Sequence, residues 1–170
     1  GDTTFIAGEG LSIEVYRIQG NDEIRRFREL TYVTHAFLDT ARILSALVRD
    51  SSGSPNYPEI RLEVNQRYHQ SLENLRSWYR EFIDENDSSI LSLMALQNQV
   101  GPGIYVLDPM EDYKVYYRVD SLLSQRYPYS PAVIALNNRI DRIRLRKNQQ
   151  TSEPQLRKGE RVENYTLSGI

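Results

Sequence analysis

The sequence predicts a mainly α protein, a helical bundle of about five helices with a short N-terminal β segment. Three observations carry this prediction. Two long stretches each show one apolar stripe at three- and four-residue steps, the signature of amphipathic helices. A third stretch, Ile90–Leu96, is apolar around its whole circumference, as a helix surrounded by others must be. Two further helices are announced by Asp108-Pro109 and Ser130-Pro131, each a capping residue followed by a proline at the first helical position.

Residues 1–19 read as the β segment. Thr4-Phe5-Ile6-Ala7 precedes a Gly8-Glu9-Gly10 turn, after which Leu11, Ile13 and Val15 alternate with Ser12, Glu14 and Tyr16. Two short strands are not stable alone, so the segment is expected to be the edge or remnant of a larger sheet. Gly20-Asn21-Asp22 ends it and offers N-cap chemistry for the first helix. That helix carries the stripe Ile24, Phe27, Leu30, Thr34, Phe37, Ala41, Leu44 and Val48. The polar run from Asp50 to Pro55 stops it. Pro58 opens the second helix, whose stripe is Ile60, Val64, Tyr68, Leu72, Leu75, Tyr79 and Phe82, ending at Ile83. Joined by a short polar loop, the two form an antiparallel hairpin.

Asp87-Ser88 caps the third helix, and Gly101-Pro102-Gly103 is expected to stop it. Ile104–Leu107 is short, apolar and extended. Asp108, with Pro109 and Glu111, makes an Asp version of the capping box for the fourth helix, with Val115, Val119, Leu122 and Leu123 inward. The fifth helix carries Val133, Ile134, Leu136, Ile140 and Ile143. The bundle therefore spans residues 20–148. Residues 149–170 turn polar and read as a linker followed by the opening of something else. No internal period marks a repeat array.

The chain has 170 residues, enough for one domain with a core that needs no disulfide or metal. It holds 21 Lys+Arg against 23 Asp+Glu, a formal net charge of −2, which argues against a uniformly basic, nucleic-acid-seeking surface. The absence of cysteine removes thiolate catalysis and Cys-ligated metal from this chain. No apolar run approaches the roughly 18 residues of a membrane span. The chain opens on Gly1-Asp2 rather than Met, which reads as a processed or truncated chain, a reading compatible with removal of a signal peptide.

The residues that could carry chemistry have structural readings beside the functional ones. His35 and His69, with Asp39 and Glu63, could meet across the hairpin as metal ligands, but neither helix has His-x-x-x-His or Glu-x-x-His spacing. Surface histidines are the simpler reading, and no metal or other cofactor is expected. The carboxylate pairs Asp84-Glu85 and Glu111-Asp112 could serve acid–base catalysis only in a shared cleft. At helix ends, capping and solvation account for them. Arg139, Arg142, Arg144, Arg146 and Lys147 form a basic run without interleaved aromatics, which reads as a solvated helix face rather than a nucleic-acid site. Tyr68, Trp78 and Tyr79 are the candidate interaction surface, against the alternative of core packing at helical spacing.

Several passages resemble the N-terminal accessory region, and its junction with the catalytic domain, of exported thiol:disulfide oxidoreductases of the thioredoxin-like group (TlpA/ResA type). Val15-Tyr16-Arg17-Ile18-Gln19-Gly20-Asn21 is similar to the strand-to-helix junction of that region. Ser88–Met94, Asp108–Asp112 and Tyr127-Pro128-Tyr129-Ser130-Pro131 are similar to its helical core. Gly159-Glu160-Arg161-Val162-Glu163-Asn164-Tyr165-Thr166-Leu167 resembles the Gly-x-x-Ala-Pro-Asp-Phe-Thr-Leu opening of the thioredoxin-like domain, with Glu163 at the usual proline and Asn164 at the usual aspartate. The Cys-x-x-Cys pair of that group lies downstream of this opening, so no catalytic residue is carried over. The resemblance implies a non-catalytic accessory domain, periplasmic or cell-envelope associated. Its expected partners are proteins: its own downstream thioredoxin-like domain, other envelope proteins or a second copy of itself. The alternative is a stand-alone, tetratricopeptide-like module that binds peptides through Tyr68, Trp78 and Tyr79.

Overall fold

The structure, a computed structural model, describes residues 3–4, 18–19 and 21–152. Five helices dominate it: α1 (Asn21–Asp50), α2 (Tyr57–Glu85), α3 (Ile90–Gln97), α4 (Tyr113–Arg126) and α5 (Pro131–Ser152). Two short antiparallel ladders accompany them among the described residues. β1 (Thr3–Thr4) pairs with β2 (Ile18–Gln19), and β3 (Gln99–Gly101) pairs with β4 (Ile104–Tyr105). The described ends of the N-terminal segment thus pair with each other, Thr3 opposite Gln19 and Thr4 opposite Ile18. The strands expected between them lie outside the described residues. The mainly α, five-helix architecture is the one the apolar periodicity predicts.

The helices form two antiparallel hairpins, α1–α2 and α4–α5, with α3 packed against α1, α2 and α4. The α1 and α2 stripes face one another, and Arg26 meets Glu85 at one end of the pair while Phe37 meets Tyr68 further along it. The main core gathers Leu30 and Phe37 from α1, Leu72, Leu75, Tyr79, Phe82 and Ile83 from α2, and Leu91, Leu93, Ala95 and Leu96 from α3. Tyr116, Val119 and Leu123 of α4 and Val133, Leu136 and Ile140 of α5 close it. Ile134 stands one step off the α5 stripe and is 47 % exposed. Among the described residues no helix is long and apolar enough to cross a membrane.

Four boundaries differ from the sequence expectation. The N-cap of α3 is Ser89, whose hydroxyl accepts the Leu91 N–H at 3.2 Å. α3 ends at Gln97, and Gly101-Pro102-Gly103 instead turns the β3–β4 hairpin, with Gly103 at φ 72° and its N–H donated to Gln99 Oε1. Asp108 does accept the Met110 and Glu111 N–H groups, at 2.7 and 3.2 Å, but this closes a separate turn. α4 begins only at Tyr113, after Asp112, whose carboxylate is held by Arg80 instead of capping the helix. At the far end, α5 continues through the polar residues to Ser152, so the first residues assigned to the linker are helical.

Candidate functional site

Of the candidate surface residues, Tyr79 is interior, with 0 % of its surface exposed. Its place on the α2 stripe turns it toward α1 and α3. Asn98 Nδ2 donates to its hydroxyl at 2.8 Å, and the hydroxyl in turn meets Thr34 Oγ1, which donates to the Leu30 carbonyl at 2.6 Å. Burial pushes the Tyr79 phenol up from its ordinary value, against the opposing hydrogen bonds from Thr34 and Asn98. Trp78 is half-buried, stacked on Phe82 at 5.1 Å and edge-on to Tyr79. Tyr68 is half-buried too, tilted against Phe37 at 5.8 Å. It lines a furrow of about 260 Å³ between α1 and α2, with Leu44, Val48 and Val64. Tyr68 and Trp78 are ten residues apart, about 15 Å along the axis. The three side chains therefore form no common groove, and Tyr79 is withdrawn from the surface set.

The other candidates are likewise separated. His35 and His69 are both exposed, Asp39 is paired with Arg42 and Glu63 with Arg67. Among the described residues no three His, Cys, Asp or Glu side chains gather closely enough to hold a metal ion. Asp84 pairs with Arg118 and Glu85 with Arg26, two ion pairs that tie α2 to α4 and to α1. Glu111 is exposed, whereas Asp112 is buried against Arg80 Nε at 2.9 Å, so that carboxylate pair shares no cleft.

The basic run on α5 gives the most organised polar surface. Its spacing places Arg139, Arg142 and Arg146 on one helix face and Arg144 and Lys147 on another. The aromatics missing from the linear run arrive from other elements. Arg139 lies 4.0 Å over the Tyr105 ring from β4 and 5.6 Å from that of Tyr116. Arg144 lies 5.9 Å over Tyr117, and Lys147 is 5.1 Å from the Tyr113 ring, both on α4. Cations on ring faces are attracted by the ring quadrupole, so these contacts fix α5 against α4 and β4.

The Arg139–Arg142–Arg146 face opens onto a cleft of about 490 Å³, whose opposite wall includes Gly103, Tyr105 and Met110. That wall is held by hydrogen bonds behind it. Val106 N–H donates to the Asn98 carbonyl at 3.0 Å and Arg76 Nε to the Val106 carbonyl at 3.0 Å. The Tyr116 hydroxyl stands between the Leu96 and Leu107 carbonyls, at 2.9 and 3.0 Å. Burial pushes the Tyr116 phenol far up, against the opposing pull of the Arg139 guanidinium, so the hydroxyl remains a donor. The one acid of the lining, Asp108, has an oxygen engaged by two backbone N–H groups. A concave surface lined by three guanidinium groups has the charge and the forked donors that suit an anion. The basic run is visible in the sequence, but the cleft is not: its facing wall comes from a hairpin more than thirty residues away. Compared with protein-family models, with curated proteins and with solved structures, the chain matches none.

Proposed function

We propose that this chain is a non-catalytic helical accessory domain of an exported thioredoxin-like thiol:disulfide oxidoreductase, working in the envelope of a Gram-negative cell through contacts with proteins. It positions or oligomerises the redox module, or presents a surface to that module's partners. The observation that carries the accessory role is the use made of the buried polar groups. Thr34, Tyr79 and Asn98 join α1, α2 and the end of α3. Tyr116 ties α4 to the Leu96 and Leu107 carbonyls. Asp120, raised in pKa by burial against the bonds from Asn137 and Ser124, joins α4 to α5. These groups hold helices together, which leaves the surface as the working part.

The link to a redox module rests on the resemblance of Gly159–Leu167 to a thioredoxin-like opening. Reading the native gene past Ile170 tests it. A thioredoxin-like sequence with a Cys-x-x-Cys pair is the expected result, and a stop codon or an unrelated domain there would end this reading. A stand-alone peptide-binding module is the weaker alternative, because the proposed groove loses Tyr79 to the core.

A further inference from the structure

We propose that the cleft between α5 and β4 binds a small organic polyanion bearing two neighbouring phosphate or carboxylate groups. Arg142 and Arg146 would hold the charged groups, and Arg139 would close one end. Three observations support this. The first is an excess of positive charge: three arginines line the cleft against the single carboxylate of Asp108. Arg26, Arg67, Arg76, Arg80, Arg118 and Arg144 each sit on a carboxylate. Arg142 and Arg146 have no such partner among the described residues, although they stand side by side on an acidic protein of net charge −2. Two exposed guanidinium groups facing one cleft repel each other, and an anion between them relieves that repulsion.

The second observation is preorganisation. Arg139 is pinned over Tyr105 and Tyr116. The opposing wall is fixed by the Asp108 turn and by the Val106 and Tyr116 hydrogen bonds, so binding has little main chain to order. The third is size. A cavity of about 490 Å³ falls in the range of small-molecule sites. Arg139 to Arg146 spans about 10 Å of helix axis, and Arg142 to Arg146 about 6 Å, the scale of two linked anionic groups. Planar, forked donors at that spacing suit bidentate contact with phosphate or carboxylate oxygens.

Isothermal titration calorimetry on the full chain tests the proposal with pyrophosphate, citrate, and an acidic heptapeptide as probes. Saturable binding of pyrophosphate or citrate is expected, weakening as salt is added, and the better of the two assigns the ligand as a phosphate or a carboxylate. The Arg142→Gln/Arg146→Gln double variant should bind at least about tenfold more weakly, as follows from losing charge-assisted bonds. The Arg28→Gln/Arg61→Gln variant, which removes the same charge elsewhere, should stay within about twofold of the parent, the loss left by screened charges at a distance. Arg146→Glu is a second, single-site probe, checked for folding by circular dichroism, and should abolish binding. The proposal fails if neither small anion binds saturably, or if the cleft variants bind like the parent. It also fails if only the heptapeptide binds, which would make the cleft a protein-docking face.

Discussion

At the scale of single residues, the hydroxyl of Tyr79 does the most to join separate parts of the core. Thr34 has one hydroxyl proton, and its short contact with the Leu30 carbonyl takes it. The Tyr79 hydroxyl must therefore donate to Thr34 while accepting from Asn98, giving a directed chain Asn98→Tyr79→Thr34→Leu30. Each bond polarises the next in a site with little water. Tyr79→Phe leaves the ring packing on Trp78 and removes the hydroxyl, so Asn98 Nδ2 loses an acceptor and Thr34 Oγ1 a donor. We expect a loss of about 1–3 kcal/mol in urea denaturation, the range for stranding a buried polar group. Adding Thr34→Val should recover part of that loss, because the isosteric swap removes one stranded partner. A Tyr79→Phe loss below about 0.5 kcal/mol would show that the chain is not a stabilising unit.

At the scale of elements, legibility in the sequence follows the range of the forces involved. The α1 and α2 stripes are readable because a 3.6-residue period alone decides which side chains share a face. Leu30, Phe37, Leu72, Leu75 and Phe82 are buried as their spacing requires. The start of α4 is not readable in this way. Asp108-Pro109 satisfies its local capping pattern in a lone turn, while the ion pair of Asp112 with Arg80, 32 residues away, decides where the helix begins. The cationic cleft is half legible: the arginines lie within one helix, but Tyr105 and Gly103 reach it only through the β3–β4 turn. That turn gives a direct test. Gly103 sits at φ 72° with open space where a methyl group would stand, so Gly103→Ala meets backbone strain and no clash. The expected loss is about 1–2 kcal/mol, the strain of a left-handed residue with a Cβ. Gly101→Ala, whose Cβ would meet Ile104 Cδ1 at an ordinary 3.5 Å, should lose less. Denaturation midpoints of the two variants compare them, and equal losses would rule out conformational strain as the reason for glycine at 103.

At the scale of the whole molecule, the two hairpins are not equally supported. α1 has 30 residues and α2 has 29, about 45 Å each, whereas α3 has 8 and runs only about 12 Å. The main core holds Leu30 and Phe37 of α1 and the stretch of α2 from Leu72 onward. Beyond Ala41 and before Tyr68, the hairpin buries Leu44 and Val64 against each other's helix, outside that core. Ile43 and Leu62 on this arm are 69 % and 61 % exposed. A two-helix arm with one seam of apolar contact has less to lose on opening than the five-helix core, so it should open on its own. Native-state hydrogen exchange is expected to show the amides of residues 44–66 exchanging at a lower free energy than those of α3 and α4. Leu44→Ala should lower protection in the arm alone. Leu123→Ala, at a fully buried site in the core, should lower protection everywhere, by about 2–5 kcal/mol. If Leu44→Ala instead lowers α4 and α5 as much as the arm, the molecule unfolds as one unit. The arm would then be held by the core's cooperativity despite its single seam of contact.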